Sequence, residues 1–360
     1  MNKHYYFNFL FLLLIFSSCR NPEIVFQNPL SIELSDPYIL SASDGKYYMY
    51  GSSEDLEFKA YSSSNLLDWK DEGMVYDGNT PNSWAINRFR TPEVYEREGK
   101  YYLFYSANWK HNPHNEKENF RIGVAISDKP TGPFKDLNNK PIFDFGYPVT
   151  DPNLFFNQEN GNFYLYYSRC SYKHPVESII SDWVRQKDWF DEVEESWIYG
   201  VELKPDLSGI MGEPVILIRP PFTSNEPQNE WENSSIMNRE TNCRSLAAPS
   251  VFKKKNLYYM MYTANHFGGR DYAIGYATAI HVLGPFIKSR ENPILQKDME
   301  NKSGIKGAGH NMVLTLSDNQ MLCVYNGQIQ HTKRNILIDR MEVQSDGKLV
   351  VHGPTRTYQK

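Results

Sequence analysis

Ionisable side chains recur at one offset in front of a repeated aromatic segment. Counting back about eleven residues from each aromatic pair leads to Asp36 (Ser-Asp-Pro-Tyr-Ile), Arg90 (Phe-Arg-Thr-Pro-Glu-Val), Asp151 (Thr-Asp-Pro-Asn-Leu-Phe), Ala247 (Leu-Ala-Ala-Pro-Ser) and His310 (Gly-His-Asn-Met-Val). A single Asp-Pro is a common turn dipeptide, but two carboxylates, a guanidinium and an imidazole at one offset favour a site. Two carboxylates across a sugar-sized pocket suit cleavage of glycosidic bonds.

The aromatic segments themselves predict β-strands, because they are rich in Tyr and Phe and most follow a turn signal such as Asp44-Gly45. Similar strands in a similar order predict radially repeated blades. The five copies, the last of them degenerate, are Lys46–Ser52, Lys100–Ser106, Asn162–Ser168, Leu257–Thr263 and Met321–Gly327.

Five such units predict an all-β, five-bladed β-propeller that forms a single domain over residues 28–360. The innermost strand of each blade begins near the central axis, so the ionisable residues are expected to ring one depression. A long stretch from Arg169 to Leu246 contains an acidic run at 191–195 and a polar run at 220–243. Both runs are interpreted as surface loops rather than as a second domain.

Composition narrows the class of partner. The formal charge of −5 argues against a nucleic-acid partner, which needs a basic face, and favours an oligosaccharide or polysaccharide. Aromatic residues make up 14% of the chain, which suits strands and also faces that stack on sugar rings. Trp84 and Trp109 are predicted to stack on a sugar in this way.

The N-terminus predicts export. Residues 1–19 combine a basic start, an apolar run and the small residues Ser17 and Ser18 before Cys19. The pattern resembles a bacterial lipoprotein signal in which Cys19 is acylated, with residues 20–27 as a tether that leaves the domain facing the periplasm or the cell surface. The alternative is ordinary signal cleavage, with Cys19 discarded or unmodified.

The remaining cysteines are Cys170, Cys243 and Cys323. Their odd number and wide spacing predict neither a disulfide framework nor a zinc site. The fold is therefore expected to depend on its hydrophobic core.

Several phrases together resemble glycoside hydrolase family 43 from about Asn28 to the C-terminus. The phrases are Asp36-Pro37, Asp151-Pro-Asn-Leu-Phe155, Gly307-Ala-Gly-His-Asn311, the two Gly-Pro-Phe phrases, Arg334-Asn-Ile-Leu-Ile-Asp-Arg340 and Gly353-Pro-Thr355.

The resemblance implies an inverting glycosidase that acts on arabinosides, xylosides or galactosides and requires no cofactor. It implies that Asp36 is the general base, which activates water, and that Asp151 tunes the pKa of the acid and holds the sugar. It also implies that His310 holds a water or a structural calcium ion, although a lone histidine is as often a hydrogen-bonded core residue. Arg90 is expected to contact substrate.

The general-acid glutamate of this family is missing from its expected position in this sequence. It belongs to a Glu-Gly-Pro or Glu-Ala-Pro phrase, and the matching residues are Ala247-Ala248-Pro249. Loss of a general acid costs about two to four powers of ten in rate. The candidates for a replacement acid are the four glutamates Glu93, Glu230, Glu232 and Glu240.

A competing hypothesis is a surface-tethered carbohydrate-binding protein that kept the pocket and lost catalysis. The retained Asp36 and Asp151 argue against it, because buried carboxylates are costly unless they are used. The fructan-cleaving propeller hydrolases fit less well, because their Glu-Cys acid phrase is missing from the sequence.

Overall fold

The computed structural model describes residues 26–53, 56–113, 115–116, 118–170, 179–221, 227–298, 303–329 and 334–356. Most of the regular structure in these residues is β-strand, as predicted. Within them, no helix has the length and hydropathy needed to cross a bilayer.

The strands form antiparallel meanders of four strands each, called blades I to V here. Blade I contains β1 (Ser35–Ser41), β2 (Tyr47–Ser52), β3 (Glu57–Ser63) and β4 (Lys70–Asp77). Blade II contains β5 (Ala85–Arg97), β6 (Lys100–Trp109), β7 (Phe120–Ser127) and β8 (Lys135–Asp136). Blade III contains β9 (Val149–Asn157), β10 (Asn162–Arg169), β11 (Glu194–Leu203) and β12 (Ile210–Ile218). Blade IV contains β13 (Cys243–Lys254), β14 (Leu257–Ala264), β15 (Ala273–Ala279) and β16 (Ile287–Lys288). Blade V contains β17 (Ile305–Thr315), β18 (Met321–Ile329), β19 (Arg334–Val343) and β20 (Leu349–Val351).

The aromatic segments form the second strand of every blade. Their side chains are almost wholly buried, Tyr50, Tyr105, Tyr166, Tyr262 and Tyr325 among them. A second strand is covered on both faces by the neighbouring blades, so its residues are apolar on both faces rather than alternately apolar and polar. This arrangement explains the repeat that the sequence shows.

The blades close into a ring. The first strands β1, β5, β9, β13 and β17 contact one another in succession, and β17 contacts β1. The N-terminal segment adds to this closure, since the Leu30 N–H donates to Ile336 O at 2.9 Å. Asn28 pairs with the Ile338 backbone through its Nδ2 and Oδ1 atoms, each at 2.8 Å. Phe26, which falls in the predicted tether, is fully buried, so the domain begins before residue 28.

Blades III and IV are additionally joined through a short parallel pairing of β11 with β13. The long stretch from Arg169 to Leu246, which also supplies β11 and β12, is not simply surface loop, as the sequence suggested. It contains α1 (Ile179–Gln186), a 3-10 helix (Pro227–Asn233) and α2 (Ser234–Met237). Ile180, Val184, Val193 and Ile236 form a small core there, and these apolar side chains give the insertion an interior of its own.

Candidate functional site

A strained backbone position marks the equivalent residue of each blade. Asp36, Thr91, Asp151, Ala248 and His310 all have φ between 50° and 55°. Each lies at a β-bulge in the first strand of its blade. A bulge re-aims a side chain, and here all five residues line a common cavity.

The predicted ring therefore needs one correction, because Arg90 and Ala247 each precede the equivalent position by one residue. Eleven residues separate Asp36 from Tyr47, but ten separate Thr91 from Tyr101. A constant offset fails because the length of the hairpin differs between blades.

The serine that ends the aromatic segment fixes the ring position in blades I and III. The Ser52 hydroxyl donates to Asp36 Oδ2 at 2.8 Å and accepts a hydrogen bond from the N–H of Thr91 in the next blade at 3.0 Å. In blade III the Ser168 hydroxyl donates to Asp151 Oδ2 at 2.8 Å and accepts from the Ala248 N–H at 3.1 Å. Each hydroxyl therefore orients a carboxylate and joins two blades.

Blades II and V use variants of the same link. The Asp151 N–H donates to Ser106 Oγ at 3.2 Å. The Asp36 N–H donates to Asn326 Oδ1 at 2.8 Å, which ties blade I to blade V. The sequence showed Ser at the end of the aromatic segment, but it did not show that this residue positions the carboxylates.

Asp36 is a buried carboxylate surrounded by positive charge. It is 5% exposed, and its Oδ1 lies 2.9 Å from an Arg334 guanidinium nitrogen and 3.7 Å from His310 Nδ1. Burial raises its pKa, but Arg334, His310 and the Ser52 hydroxyl outweigh burial and lower the pKa to about 2. Asp36 is therefore ionised at neutral pH, as a general base must be.

Asp151 is held in place by hydrogen bonds to both of its carboxyl oxygens. Besides the Ser168 hydroxyl, the Ala248 N–H donates to its Oδ2 at 3.1 Å, and the Thr150 hydroxyl donates to its Oδ1 at 3.2 Å. Three donors from two blades fix its orientation. Such a fixed charge can hold a sugar hydroxyl or tune a neighbouring acid.

The two aspartates share a cavity of about 460 Å³. The predicted Arg90 and His310 also line it, and Arg90 packs its guanidinium over the Phe120 ring at 5.8 Å. Further lining residues to which the sequence gave no site role are Glu118, Phe120, Glu194, Ser245, His266, Phe267, Tyr272 and Arg334. Of these, Glu194 belongs to the acidic run at 191–195, and Arg334 opens one of the phrases that carry the family resemblance.

Trp84 is a correction to the predicted sugar-stacking residues. It is 4% exposed, and its indole N–H donates to the Tyr105 hydroxyl at 2.9 Å inside the core of blade II. Trp109 packs against Arg121, whose guanidinium carbon lies 5.3 Å from the ring centre. Neither tryptophan lines the cavity.

The glutamates suggested as replacement acids lie outside the cavity lining. Glu93 is buried between blades II and III, where Asn153 Nδ2 donates to it at 3.1 Å and Tyr95 also hydrogen bonds to it, and burial raises its pKa to about 8. Glu232 is fully buried against Lys288 at 2.6 Å, Glu240 pairs with Arg270 at 3.3 Å, and Glu230 is exposed on the 3-10 helix. The cavity brings none of the four near Asp36.

The described residues contain no group of three or more His, Cys, Asp or Glu side chains that could hold a metal ion. The amide atoms of Asn311, next to His310, and the Asn326 amide nitrogen are buried without a hydrogen-bond partner. Ordered water can satisfy buried amide atoms of this kind, and the structural calcium ion that the resemblance implied stays a prediction. Cys19 and the rest of the predicted signal lie outside the described residues.

The chain is similar to known carbohydrate-active proteins over nearly its whole length. The model of glycosyl hydrolases family 43 matches residues 26–349. The β-D-galactofuranosidase xynD of Aspergillus niger is 23% identical over 332 residues, which cover 85% of this chain and 79% of that protein. A xylosidase/arabinosidase of Bacteroides ovatus is 24% identical over 274 residues, or 70% of this chain and 76% of that protein.

Solved structures show the same architecture. A thermostable family-43 glycoside hydrolase superimposes with a TM-score of 0.77 at 33% identity, covering 93% of this chain and 98% of that one. An α-L-arabinofuranosidase from Lactobacillus brevis, 20% identical, superimposes with a TM-score of 0.72 over 93% of this chain and 98% of its own. At 20% identity, the second likeness concerns the fold alone.

Proposed function

Because the chain belongs to glycosyl hydrolase family 43, we propose that this glycosidase hydrolyses arabinosidic, xylosidic or galactosidic bonds of plant-type or related glycans with inversion. The observation that carries the proposal is the environment of Asp36, a buried carboxylate held ionised by Arg334 and His310 at the base of the cavity. The names of the relatives support the choice of sugars, since they include a galactofuranosidase and a xylosidase/arabinosidase.

In the proposed mechanism Asp36 removes a proton from a water molecule as the water oxygen attacks the anomeric carbon. The Ser52 hydroxyl occupies Oδ2 of Asp36, and Arg334 and His310 face Oδ1. These contacts fix the carboxylate plane before substrate arrives, and such preorganisation lowers the barrier.

Asp151 acts as the second carboxylate. Its Oδ2 is occupied by Ser168 and Ala248, whereas its Oδ1 accepts one hydrogen bond from Thr150. A carboxylate oxygen can accept more than one hydrogen bond, so Oδ1 is suited to a sugar hydroxyl. Its charge also favours the protonated form of a nearby acid.

The test is turnover of a panel of nitrophenyl arabinofuranoside, xyloside and galactofuranoside by the chain from Arg20 to Lys360. We expect Asp36→Asn to lower kcat/KM by about 10²–10⁴-fold, the usual contribution of general base catalysis. Asp128→Asn, which removes an exposed carboxylate far from the cavity, is the matched control. Unchanged turnover in Asp36→Asn would show that Asp36 is not the base.

Stereochemistry tests inversion separately. Proton NMR of the first sugar released is expected to show the anomer opposite to that of the substrate. Release of the same anomer would instead indicate a covalent intermediate and a nucleophilic carboxylate.

Ala247 favours the competing function of a carbohydrate-binding protein, because an alanine cannot donate a proton. Binding of the matching oligosaccharides without cleavage of any glycoside in the panel would support that function. The two functions differ in turnover and not in affinity, so calorimetric binding and product release must both be measured.

We also propose that Cys19 is acylated and tethers the domain to a membrane facing the periplasm or cell surface. Support comes from the basic start, the apolar run and the small residues before Cys19. Labelled palmitate is expected to be incorporated into the wild type and not into Cys19→Ala. Equal labelling of the two proteins would exclude Cys19 as the anchor.

A further inference from the structure

We propose that Glu194 supplies the proton that Ala247 cannot, as the general acid of the glycosidase reaction. The inference rests on the proposed function, because it assumes that Asp36 activates the attacking water. It assigns a catalytic role to a residue that belongs to blade III, whereas the missing glutamate of the family belongs to blade IV.

The cavity opens toward the beginnings of the first strands. In β13 the residues before the bulge, Cys243, Ser245 and Ala247, line the cavity, and Val251, beyond the bulge, does not. The cavity therefore has room for the leaving group of a sugar bound next to Asp36 to extend past Ala247 toward Cys243. An acid that protonates the leaving oxygen can approach from that side.

The parallel pairing of β11 with β13 brings Glu194 to the same face. Glu194 pairs with Cys243, and Ser196 pairs with Ser245. Paired residues in neighbouring strands point to the same side of the sheet, and all four line the cavity. The face that ends at Ala247 therefore carries a carboxyl group from the adjacent strand.

The intervening residues point the opposite way and hold this junction together. Glu195 pairs with Arg244, and both side chains are fully buried at 2.5 Å from each other. The alternation places two neighbouring glutamates on opposite faces of β11: Glu195 points into the interior, and Glu194 lies half-buried at the cavity.

The other carboxyl groups of the cavity are less suited to donate a proton. Asp36 is held ionised by Arg334. Asp151 Oδ2 already accepts hydrogen bonds from Ser168 and Ala248. Glu118 precedes β7 of blade II, so it does not belong to the blade IV face that carries Ala247.

Other proton donors of the cavity are less suited for different reasons. His310 faces the base itself, with its Nδ1 3.7 Å from Asp36 Oδ1. Burial raises the pKa of the Cys170, Cys243 and Tyr272 side chains, so they retain their protons too strongly. Burial lowers the pKa of His266, whose Nδ1 also accepts a hydrogen bond from the Gly268 N–H at 3.2 Å. His266 is therefore neutral at pH 7 and is a hydrogen-bond donor rather than an acid.

The Glu194 carboxyl proton passes to the glycosidic oxygen while the bond from that oxygen to the anomeric carbon breaks, and the bonding electron pair stays on the oxygen. The water oxygen forms the new bond to the anomeric carbon, and Asp36 takes its proton. Exchange with solvent then reprotonates Glu194 and deprotonates Asp36.

The test is the dependence of Glu194→Gln on the leaving group. We expect kcat/KM on the matching oligosaccharide to fall by about 10²–10⁴-fold and kcat/KM on the dinitrophenyl glycoside to change less than about tenfold, because a good leaving group needs little protonation. The fall of kcat/KM at high pH that the wild type shows is expected to be absent in Glu194→Gln. Glu118→Gln, the other cavity glutamate, is the matched control, and it is expected to change turnover of both substrates by the same factor.

Other results overturn the inference. A loss in Glu194→Gln that is equal for both substrates, or no loss, excludes Glu194 as the acid, as does the leaving-group signature in Glu118→Gln. Wild-type cleavage of aryl glycosides alone means that no acid operates, while the role of Asp36 stands. Wild-type cleavage of neither substrate removes the proposed function as well. If Glu194→Gln does not fold by circular dichroism, Glu194→Asp gives the same comparison with a smaller loss.

Discussion

The charge on Asp36 depends on the residues that surround it, and the dependence of kcat/KM on pH can test this. The acid limb of kcat/KM reflects the pKa of the free base, so the wild type is expected to have its midpoint near 2 rather than at the ordinary 3.8. Arg334→Met removes the nearest positive charge and is expected to move the midpoint upward by about one to three pH units. The measurement is kcat/KM against pH on a nitrophenyl glycoside.

Arg290→Met, which removes an exposed arginine, is the control for this profile and is expected to leave the midpoint unchanged. An Arg334→Met enzyme with the wild-type acid limb would show that Arg334 does not hold Asp36 in its ionised form.

Glu93 illustrates a buried carboxyl group whose effect is on stability. Burial raises its pKa from 4.5 to about 8 in the folded chain. A group with a raised pKa favours folding fully below its unfolded pKa, and that contribution is lost as pH rises through the folded value. The wild type is therefore expected to lose stability relative to Glu93→Gln between about pH 4.5 and about pH 8, by a few kcal/mol at most.

Urea unfolding of the two proteins at about pH 5 and about pH 9 measures this difference. Glu213→Gln, at an exposed position, is expected to show no such change with pH. A constant difference between Glu93→Gln and the wild type across this range would mean that Glu93 does not become protonated in the folded state.

Among the elements, the junction of β11 with β13 combines a structural pair with a residue of the cavity. Glu195 and Arg244 are fully enclosed, and the Trp197 indole N–H also donates to Glu195 at 3.0 Å. Removing one partner of a buried ion pair typically costs about 3–5 kcal/mol, because the other charge stays buried. We expect Glu195→Gln to lower the free energy of unfolding by an amount in this range.

The control for Glu195→Gln is Asp128→Asn, which breaks an exposed ion pair with Lys100. Exposed pairs contribute little, so its urea unfolding curve is expected to overlay that of the wild type. A Glu195→Gln protein as stable as the wild type would indicate that the buried pair does not hold β11 and β13 together.

Across the whole molecule, stability depends on how the ring closes. Asn28 satisfies both the N–H and the C=O of Ile338, which belongs to the last blade. Asn28→Ala leaves these two buried groups without partners, each at a cost of about 1–3 kcal/mol. We expect its midpoint of thermal unfolding to fall well below that of Asn82→Ala, which changes an exposed asparagine. Equal midpoints would show that the N-terminal segment does not contribute to closure.

The sequence by itself determined the repeat, the all-β class and the two aspartates. These features are local: a strand covered on both faces must be aromatic or aliphatic throughout, and an Asp-Pro at the start of a strand can be read from neighbouring residues. The missing acid was visible for the same reason, because Ala247 lies in a recognisable phrase.

Tertiary structure decided which side chains meet. Arg334 is far from Asp36 in the chain and contacts it only because blade V closes on blade I. Trp84 points into the core of its blade rather than toward the cavity. The β-bulges, and not a constant spacing in the sequence, determine which residue of each first strand lines the cavity. The placement of Glu194 at the cavity depends on strand pairing between two blades. Such contacts follow from the closed packing of the blades, and no local pattern of residues encodes them.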